Sequence, residues 1–118
     1  MNDQTQKRDA GKSDPMMVEE DLALALECVN RTLDYGKEKY GQRGGWKAVD
    51  ISRYKSANGR HRRDRMKAKR DLEPDSETDL PHLAHEIVNA MFILQTALEK
   101  LTPAQLKKVM AYKEPPRV

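Results

Sequence analysis

The sequence has little cysteine, few aromatic residues and no long apolar run. Cys28 is the single cysteine, so an intrachain disulfide is excluded, and one thiol on an apolar helical face fits a reducing compartment. No stretch reaches the roughly 18 apolar residues of a membrane span, and no signal-peptide core is present. We therefore expect a soluble, cytoplasmic protein with no membrane partner. The chain also lacks a Walker-type loop, a Rossmann glycine pattern, a Gly-x-Ser-x-Gly motif and paired zinc-binding cysteines, which excludes the sites that these motifs build.

The composition predicts a single domain with a thin hydrophobic core. Apolar residues make up 37% of the 118 residues, with one Phe and one Trp, whereas charged residues make up 35%. At this length there is little room for a second domain. We expect part of the apolar helix surface to be buried against another copy of the chain, so the predicted state is a homo-oligomer, a dimer or larger.

Hydrophobic periodicity predicts an all-α fold, a small bundle of three longer helices and a short C-terminal helix. In the first helix, apolar residues recur every three to four positions over 16–35, and Gly36 supplies a stop. A glycine-rich loop over 36–50 leads to the second helix, 51–70, and then to a central helix that opens at Thr78 or Asp79. A short helix, 103–112, follows, and its apolar residues Leu106, Val109 and Met110 are expected to point inward. Residues 1–15 are predicted to be a polar, disordered arm, 16–112 the helical domain, and 113–118 an extended tail.

The central helix carries a polar stripe on an otherwise apolar surface. Four side chains fall within roughly a 100° arc, at about 100° per residue: His82, His85, Glu86 and Asn89. The opposite side is apolar from Leu80 to Leu101. Because an unpaired buried polar group costs about 1–3 kcal/mol, we expect a metal, a ligand or another polar helix to meet this stripe.

The second helix has an equally polar inner stripe, formed by Tyr54, Asn58, His61, Arg65 and Ala68. A core helix would carry aliphatic residues there, so the stripe indicates either a peripheral helix or a polar cavity shared with the central helix, and we favour the cavity. Seven of the eleven residues at 60–70 are Lys or Arg, which is typical of a nucleic-acid patch. The acidic run that follows would repel a phosphate backbone, which makes nucleic acid the less favoured partner.

Metal-ligand candidates gather at the start of the central helix. Asp75, Glu77 and Glu86 are hard oxygen donors suited to Mg²⁺ or Mn²⁺. His82 and His85 suit a softer metal, the positioning of a water, or acid–base work. The alternative is a polar seam in which the histidines and carboxylates of neighbouring helices satisfy one another.

Residues suited to a nucleotide lie upstream of these donors. Lys39 and Arg60 are candidates for phosphate oxygens. Trp46, the only tryptophan, can either plug the end of the bundle or stack on a base. Together with the metal-ligand candidates, these residues suit metal-assisted hydrolysis of a phosphoanhydride.

Four short fragments occur in the order and at the spacing of a known family: DAGK at 9–12, KYG at 39–41 followed by Trp46, RH at 60–61, and DSETDLPHLAH at 75–85. Their order and spacing resemble the phage-associated dATP/dGTP diphosphohydrolase N-terminal family, small all-α proteins similar to MazG-like nucleotide pyrophosphohydrolases. The resemblance implies cleavage of a deoxynucleoside triphosphate to the monophosphate and pyrophosphate, with Mg²⁺ or Mn²⁺. It also implies a host-cytoplasmic location if the protein is phage-encoded.

The resemblance completes the predicted site and implies that the N-terminal arm, residues 1–15, could close over it. The catalytic candidates are His82, His85 and Glu86, and the metal candidates are Asp75, Glu77 and Glu86. The substrate-binding candidates are Lys12, Lys39, Tyr40, Trp46, Arg60, His61 and Asn89. The sequence departs from the family at Gly45, where Asn usually precedes the Trp, and at Asp79, where Gly usually precedes Leu-Pro-His. The ExxE and ExxD carboxylate pairs of MazG-like enzymes are absent.

The predicted function is metal-dependent hydrolysis of a purine deoxynucleoside triphosphate. Two alternatives remain open. One is a non-catalytic nucleotide- or nucleic-acid-binding module, and the other is a phage factor that binds a host protein.

Overall fold

The computed structural model describes residues 12–113 and 115–116, and these residues form five α-helices and no strand. The helices are α1 (Pro15–Asp21), α2 (Ala23–Tyr40), α3 (Ile51–Ala68), α4 (His82–Glu99) and α5 (Pro103–Met110), with a 3₁₀ turn (Gly45–Ala48) between α2 and α3. The predicted all-α class is confirmed. None of the helices in this part of the chain is long and apolar enough to cross a membrane. Most of the predicted N-terminal arm and parts of the predicted tail lie outside the described residues.

The predicted first helix is in two pieces and runs further than expected. Leu22 leaves helical geometry, with φ −122° and ψ 31°, and separates α1 from α2. The prediction that Gly36 ends the helix is wrong, because α2 passes through it and stops at Gly41. Gly41 has a φ of 81°, the left-handed conformation that glycine adopts without steric cost. Lys37 and Lys39 in the last turn complement the negative end of the helix dipole.

The second predicted helix is confirmed as α3, apart from its last turn. Asp50 caps its start by accepting a hydrogen bond from the backbone N–H of Ser52 at 2.8 Å. Lys69 ends it in the left-handed conformation, with φ 57°. The predicted inner stripe faces the rest of the protein, since Tyr54 is buried and the other members, Asn58, His61, Arg65 and Ala68, are half-buried.

The central helix starts later than predicted. Pro81 is the residue before α4, and Thr78 and Asp79 belong to the loop that precedes it. Asp79 has a φ of 60°, which no right-handed helix accommodates. The loop is closed by backbone hydrogen bonds from Asp75 N–H to Leu80 C=O at 2.8 Å and from His82 N–H to Glu73 C=O at 2.9 Å.

The core lies where α2 and α3 pack on α4. Its buried apolar residues are Val29, Tyr54, Ala84 and Val88. Helices α3 and α4 run antiparallel, because Tyr54 contacts Phe92 near one end while His61 contacts His82 near the other. The buried face of α4 is the one that carries the polar stripe, because His82 and Asn89 are buried there.

The apolar side of α4 is left exposed in the single chain. Ile87, Met91 and Leu94 are 38%, 49% and 58% exposed. Homo-oligomerisation, which would cover this side, stays a prediction.

The short helix α5 has the predicted start but not the predicted orientation. Thr102 caps α5 through a reciprocal pair of hydrogen bonds with Gln105. Three residues expected to point inward are instead exposed: Leu106, Val109 and Met110.

Candidate functional site

Three side chains converge between α3, the loop before α4, and the first turn of α4. The Nδ1 atoms of His61 and His82 lie 2.8 Å apart, and each lies 3.8 Å from Oδ1 of Asp75. His82 is buried, and the other two are half-buried. We call these three residues the His–Asp–His cluster. Their donor atoms all lie within 4.8 Å of one another, so they could hold one metal ion.

The donor set of the His–Asp–His cluster fits a divalent transition metal. Atoms bound to one ion at about 2.1 Å are about 3.0–3.4 Å apart when coordination angles lie between about 90° and 109°. The separations of 2.8 and 3.8 Å bracket that range, so small side-chain movements bring the atoms to coordinating distance. Two imidazoles with one carboxylate favour Mn²⁺ or a similar metal over Mg²⁺, which prefers oxygen ligands.

The loop before α4 fixes the carboxylate of the cluster. Oδ2 of Asp75 accepts hydrogen bonds from the backbone N–H groups of Glu77 and Thr78, both at 3.1 Å. Burial raises the pKa of Asp75, but these donors and the nearby His61 and His85 outweigh it and hold the pKa below its usual value. Asp75 is therefore an ionised carboxylate whose Oδ1 is left to face the two histidines.

His85 lies beside the cluster and is held on two sides. Its ring stacks on His61 with centroids 4.6 Å apart and planes 8° apart. Its Nε2 is 2.8 Å from Oγ1 of Thr78, which also lies 3.3 Å from Oδ2 of Asp75. A carboxylate, a hydroxyl and an imidazole thus form a continuous chain of polar contacts.

Burial favours the neutral form of two of the imidazoles. Desolvation lowers the pKa of His61, and it outweighs the attraction of Asp75. Desolvation also lowers the pKa of His85, and the neighbouring His61 adds to this effect. A neutral imidazole is the form that binds a metal or accepts a proton.

A cleft of about 1010 Å³ opens in front of the cluster, between α2, α3, α4 and the intervening loops. Six Lys or Arg residues but only three Asp or Glu residues line it. Five of these cations have no carboxylate partner among residues 12–113: Lys37, Lys39, Arg43, Arg53 and Arg60. An excess of unpaired cations around a cleft favours an anionic ligand.

Aromatic rings close one end of the cleft. Trp46 stacks on Phe92 with centroids 4.1 Å apart and planes 10° apart, and Tyr54 packs edge-on against both rings. The hydroxyl of Tyr54 donates to the backbone carbonyl of Trp46 at 2.8 Å. One face of the indole is therefore occupied, as the plug interpretation expects, while the ring still lines the cleft.

Comparison with known families identifies the chain. The family model described as "dATP/dGTP diphosphohydrolase, N-terminal" matches residues 2–104. The chain belongs to this family. No match is found among curated proteins or among solved structures. The matched region contains the His–Asp–His cluster and the cleft, so the family assignment and the site refer to the same residues.

Most of the residues predicted for the dATP/dGTP diphosphohydrolase site line the cleft: Lys39, Tyr40, Trp46, Arg60, His61, Asp75, Glu77, His85 and Asn89. They come from α2, the 3₁₀ turn, α3, the loop before α4, and α4 itself. The fold therefore brings together residues that are far apart in the sequence.

Four of the predicted residues have surroundings that differ from the prediction. Both carboxylate oxygens of Glu86 accept hydrogen bonds from Arg65, at 2.6 and 3.0 Å, so Glu86 lies in an ion pair outside the cluster. Glu77 is exposed and accepts a hydrogen bond from Tyr35 at 2.6 Å. His82 is buried and does not line the cleft, which suits a metal ligand better than a residue that positions water. Lys12 is exposed and is not among the residues that line the cleft.

Sequence reasoning missed Thr78, the hydroxyl that links Asp75 to His85. Helical periodicity gives no signal for it, because it lies in a loop. The available signal was local, since Asp followed three residues later by Thr is a common arrangement in turns closed by side-chain hydrogen bonds.

Proposed function

We propose that the chain hydrolyses dATP or dGTP to the monophosphate and pyrophosphate, with a divalent metal ion held by the His–Asp–His cluster. The observation that carries the proposal is the convergence of His61, Asp75 and His82 behind a cleft lined by unpaired cations. The family description, which names a dATP/dGTP diphosphohydrolase, supports the same reaction class. Of the two predicted cations, Mn²⁺ suits the donor set better than Mg²⁺.

The proposed metal ligands are the Nδ1 atoms of His61 and His82 and Oδ1 of Asp75. When bound, a divalent cation supplies charge neutralisation and polarisation of the reacting phosphate. Glu77 and Glu86 are not included, because one is exposed beside Tyr35 and the other is paired with Arg65.

The cations of the cleft are proposed to bind the phosphates. Lys39 at the end of α2 and Arg60 on α3 line the cleft without a carboxylate partner among the described residues. A triphosphate would supply the partners that the protein does not. The cleft volume of about 1010 Å³ is at the upper end of the range for small-molecule sites and accommodates a nucleotide.

His85 is the proposed general base. It lines the cleft, and its Nδ1 has no hydrogen-bond partner among the described residues. Thr78 has one hydroxyl hydrogen, so whenever it donates to Asp75, Nε2 of His85 must donate to Thr78. Nδ1 then carries the lone pair and is able to accept the proton of the attacking water.

We also propose that a second copy of the chain covers the apolar side of α4. Ile87, Met91 and Leu94 recur at the spacing of one helical face and are all exposed. A homo-oligomer would give the thin monomer core the additional burial that its composition lacks.

The test is to incubate the purified protein with each deoxynucleoside triphosphate and MnCl₂, and to measure pyrophosphate and monophosphate release. We expect turnover of dATP or dGTP, and its loss in Asp75→Asn. The absence of turnover with every nucleotide would overturn the enzymatic proposal. If nucleotides then still raised the melting temperature, a non-catalytic binding module would be the remaining interpretation.

A further inference from the structure

Asn89 is a buried polar residue whose side chain has no hydrogen-bond partner among the described residues. It is only 8% exposed. The two other buried polar residues are satisfied, since Thr32 donates to the carbonyl of Cys28 at 2.9 Å and His82 contacts His61 at 2.8 Å. Oδ1 of the half-buried Asn58 is also unpaired among the described residues, but Asn58 lies outside the cleft. Asn89 lines the cleft, so the cleft is where its amide meets a partner.

The chemistry of the amide restricts what that partner can be. A carboxamide offers a donor and an acceptor side by side, whereas a phosphate offers acceptors only. The cleft already provides unpaired cations for phosphate oxygens, Lys39 and Arg60 among them. A group that presents an adjacent donor and acceptor is the better match for Asn89, because leaving either half of a buried amide unpaired is unfavourable.

Helix α4 places Asn89 at the right distance from the cluster. With a rise of about 1.5 Å per residue, His85, Asn89 and Phe92 lie about 4.5, 10.5 and 15 Å along the axis from His82. His85, Asn89 and Phe92 all line the cleft. If a nucleotide binds with its α-phosphate at the cluster and its base along α4, the base lies beside Asn89.

We infer that the carboxamide of Asn89 binds the N7 edge of the nucleobase, and that adenine is the base whose N7 edge it fits. Asparagine pairs with adenine through the N6 amino group and N7 together, whereas the corresponding edge of guanine carries two acceptors and suits arginine. The inference rests on the proposed function, because the position of the base follows from a triphosphate bound at the cluster. A well-formed pair of this kind discriminates by about 5- to 150-fold in affinity.

The experiment measures binding by calorimetry in the presence of Mn²⁺, with α,β-imido analogues that cannot be cleaved between the α and β phosphates. The ligands are the analogues of dATP, dGTP and purine deoxyriboside triphosphate, which lacks the N6 amino group, together with inorganic tripolyphosphate. The variants are Asn89→Leu and, as a matched control, Asn58→Leu. Asn58 is a half-buried amide on α3 that lines a separate groove with Arg62 and Glu86.

We expect Asn89→Leu to weaken the binding of the dATP analogue by about tenfold or more, within the range for such a pair. Tripolyphosphate affinity should be unchanged in Asn89→Leu, and all affinities unchanged in Asn58→Leu. The wild-type protein should prefer the dATP analogue over the one without the amino group, a comparison that needs no variant and stands even if Asn89→Leu fails to fold.

Four outcomes would overturn the inference. Equal affinity of the wild type for the analogues with and without the amino group, or a preference for the dGTP analogue, would reject adenine reading while leaving the proposed function in place. An equal loss of tripolyphosphate binding in Asn89→Leu would assign the residue to the phosphates instead. Failure of both the nucleotides and tripolyphosphate to bind would overturn the proposed function and the inference together.

Discussion

Replacing the hydroxyl of Thr78 by a methyl group, in Thr78→Val, tests how the site is held together. The hydroxyl oxygen accepts from the backbone N–H of Leu80 at 3.1 Å and lies 2.8 Å from Nε2 of His85. Its contact with Asp75 at 3.3 Å is the weakest of the three, and Asp75 keeps its two backbone donors, the N–H groups of Glu77 and Thr78, in the variant. Valine has nearly the same shape, so no cavity is created.

The expected loss of stability follows from the two groups that Thr78→Val leaves unpaired. A buried group without its partner costs about 1–3 kcal/mol, and the lower end applies because Leu80 and His85 are half-buried. The free energy of unfolding should therefore fall by about 2 kcal/mol. His85 also loses its fixed orientation, so kcat should fall by about 10- to 100-fold, within the range attributed to general acid–base catalysis. Mn²⁺ affinity should stay close to that of the wild type, because the ligand atoms are untouched.

The assays are urea unfolding, pyrophosphate release with MnCl₂, and calorimetric Mn²⁺ titration. Thr78→Ser is the matched control, because it restores the hydroxyl and should recover most of the stability and of kcat. A valine variant as stable and as active as the wild type would refute the reasoning. So would a serine variant no better than the valine variant, since restoring the hydroxyl would then recover nothing.

Three further predictions concern other features of the structure. Asp79→Gly should raise the free energy of unfolding by about 0.5–1 kcal/mol in urea melts, because φ 60° is strained for Asp. A variant with a lower free energy of unfolding than the wild type would contradict this. Met91→Asp should shift the sedimentation mass toward the monomer without loss of helical circular dichroism, whereas an unaltered mass would argue against an interface on this side of α4. Glu86→Gln should leave Mn²⁺ binding intact in calorimetry while Asp75→Asn removes it. An equal loss in both variants would return Glu86 to the metal site.

Helical periodicity was enough to predict which faces of α3 and α4 meet. His61 and His82 were assigned to polar stripes on separate helices, and the structure brings their Nδ1 atoms to 2.8 Å. The spacing of 3.6 residues per turn determines these faces, so a single sequence contains the information. The same reasoning placed Asn89 on the stripe, and it is buried there.

The ion pair of Glu86 could not be predicted in this way. Its partner, Arg65, lies on another helix, and which of several cations on α3 reaches it depends on the register between α3 and α4. A periodic pattern gives the face of each helix but not their relative shift. Glu86 therefore looked like a free carboxylate near the histidines.

The predicted start of α4 was wrong, because the tolerance of proline in a first helical turn was considered without the side-chain hydrogen bonds that compete with helix formation. Proline is tolerated in the first turn of a helix, which made Thr78 a reasonable first residue. The side chain of Asp75 instead accepts hydrogen bonds from the backbone N–H groups of Glu77 and Thr78, and Asp79 adopts φ 60°. Side-chain hydrogen bonds within the turn replace the first helical bonds.

The central claim is that one divalent ion binds at the His–Asp–His cluster. Anomalous diffraction from crystals grown with MnCl₂ tests it most directly, because the manganese position is located independently of its ligands. The account predicts the strongest peak at coordinating distance from Nδ1 of His61, Nδ1 of His82 and Oδ1 of Asp75. A peak at Glu77 or Glu86, with none at the cluster, would contradict it.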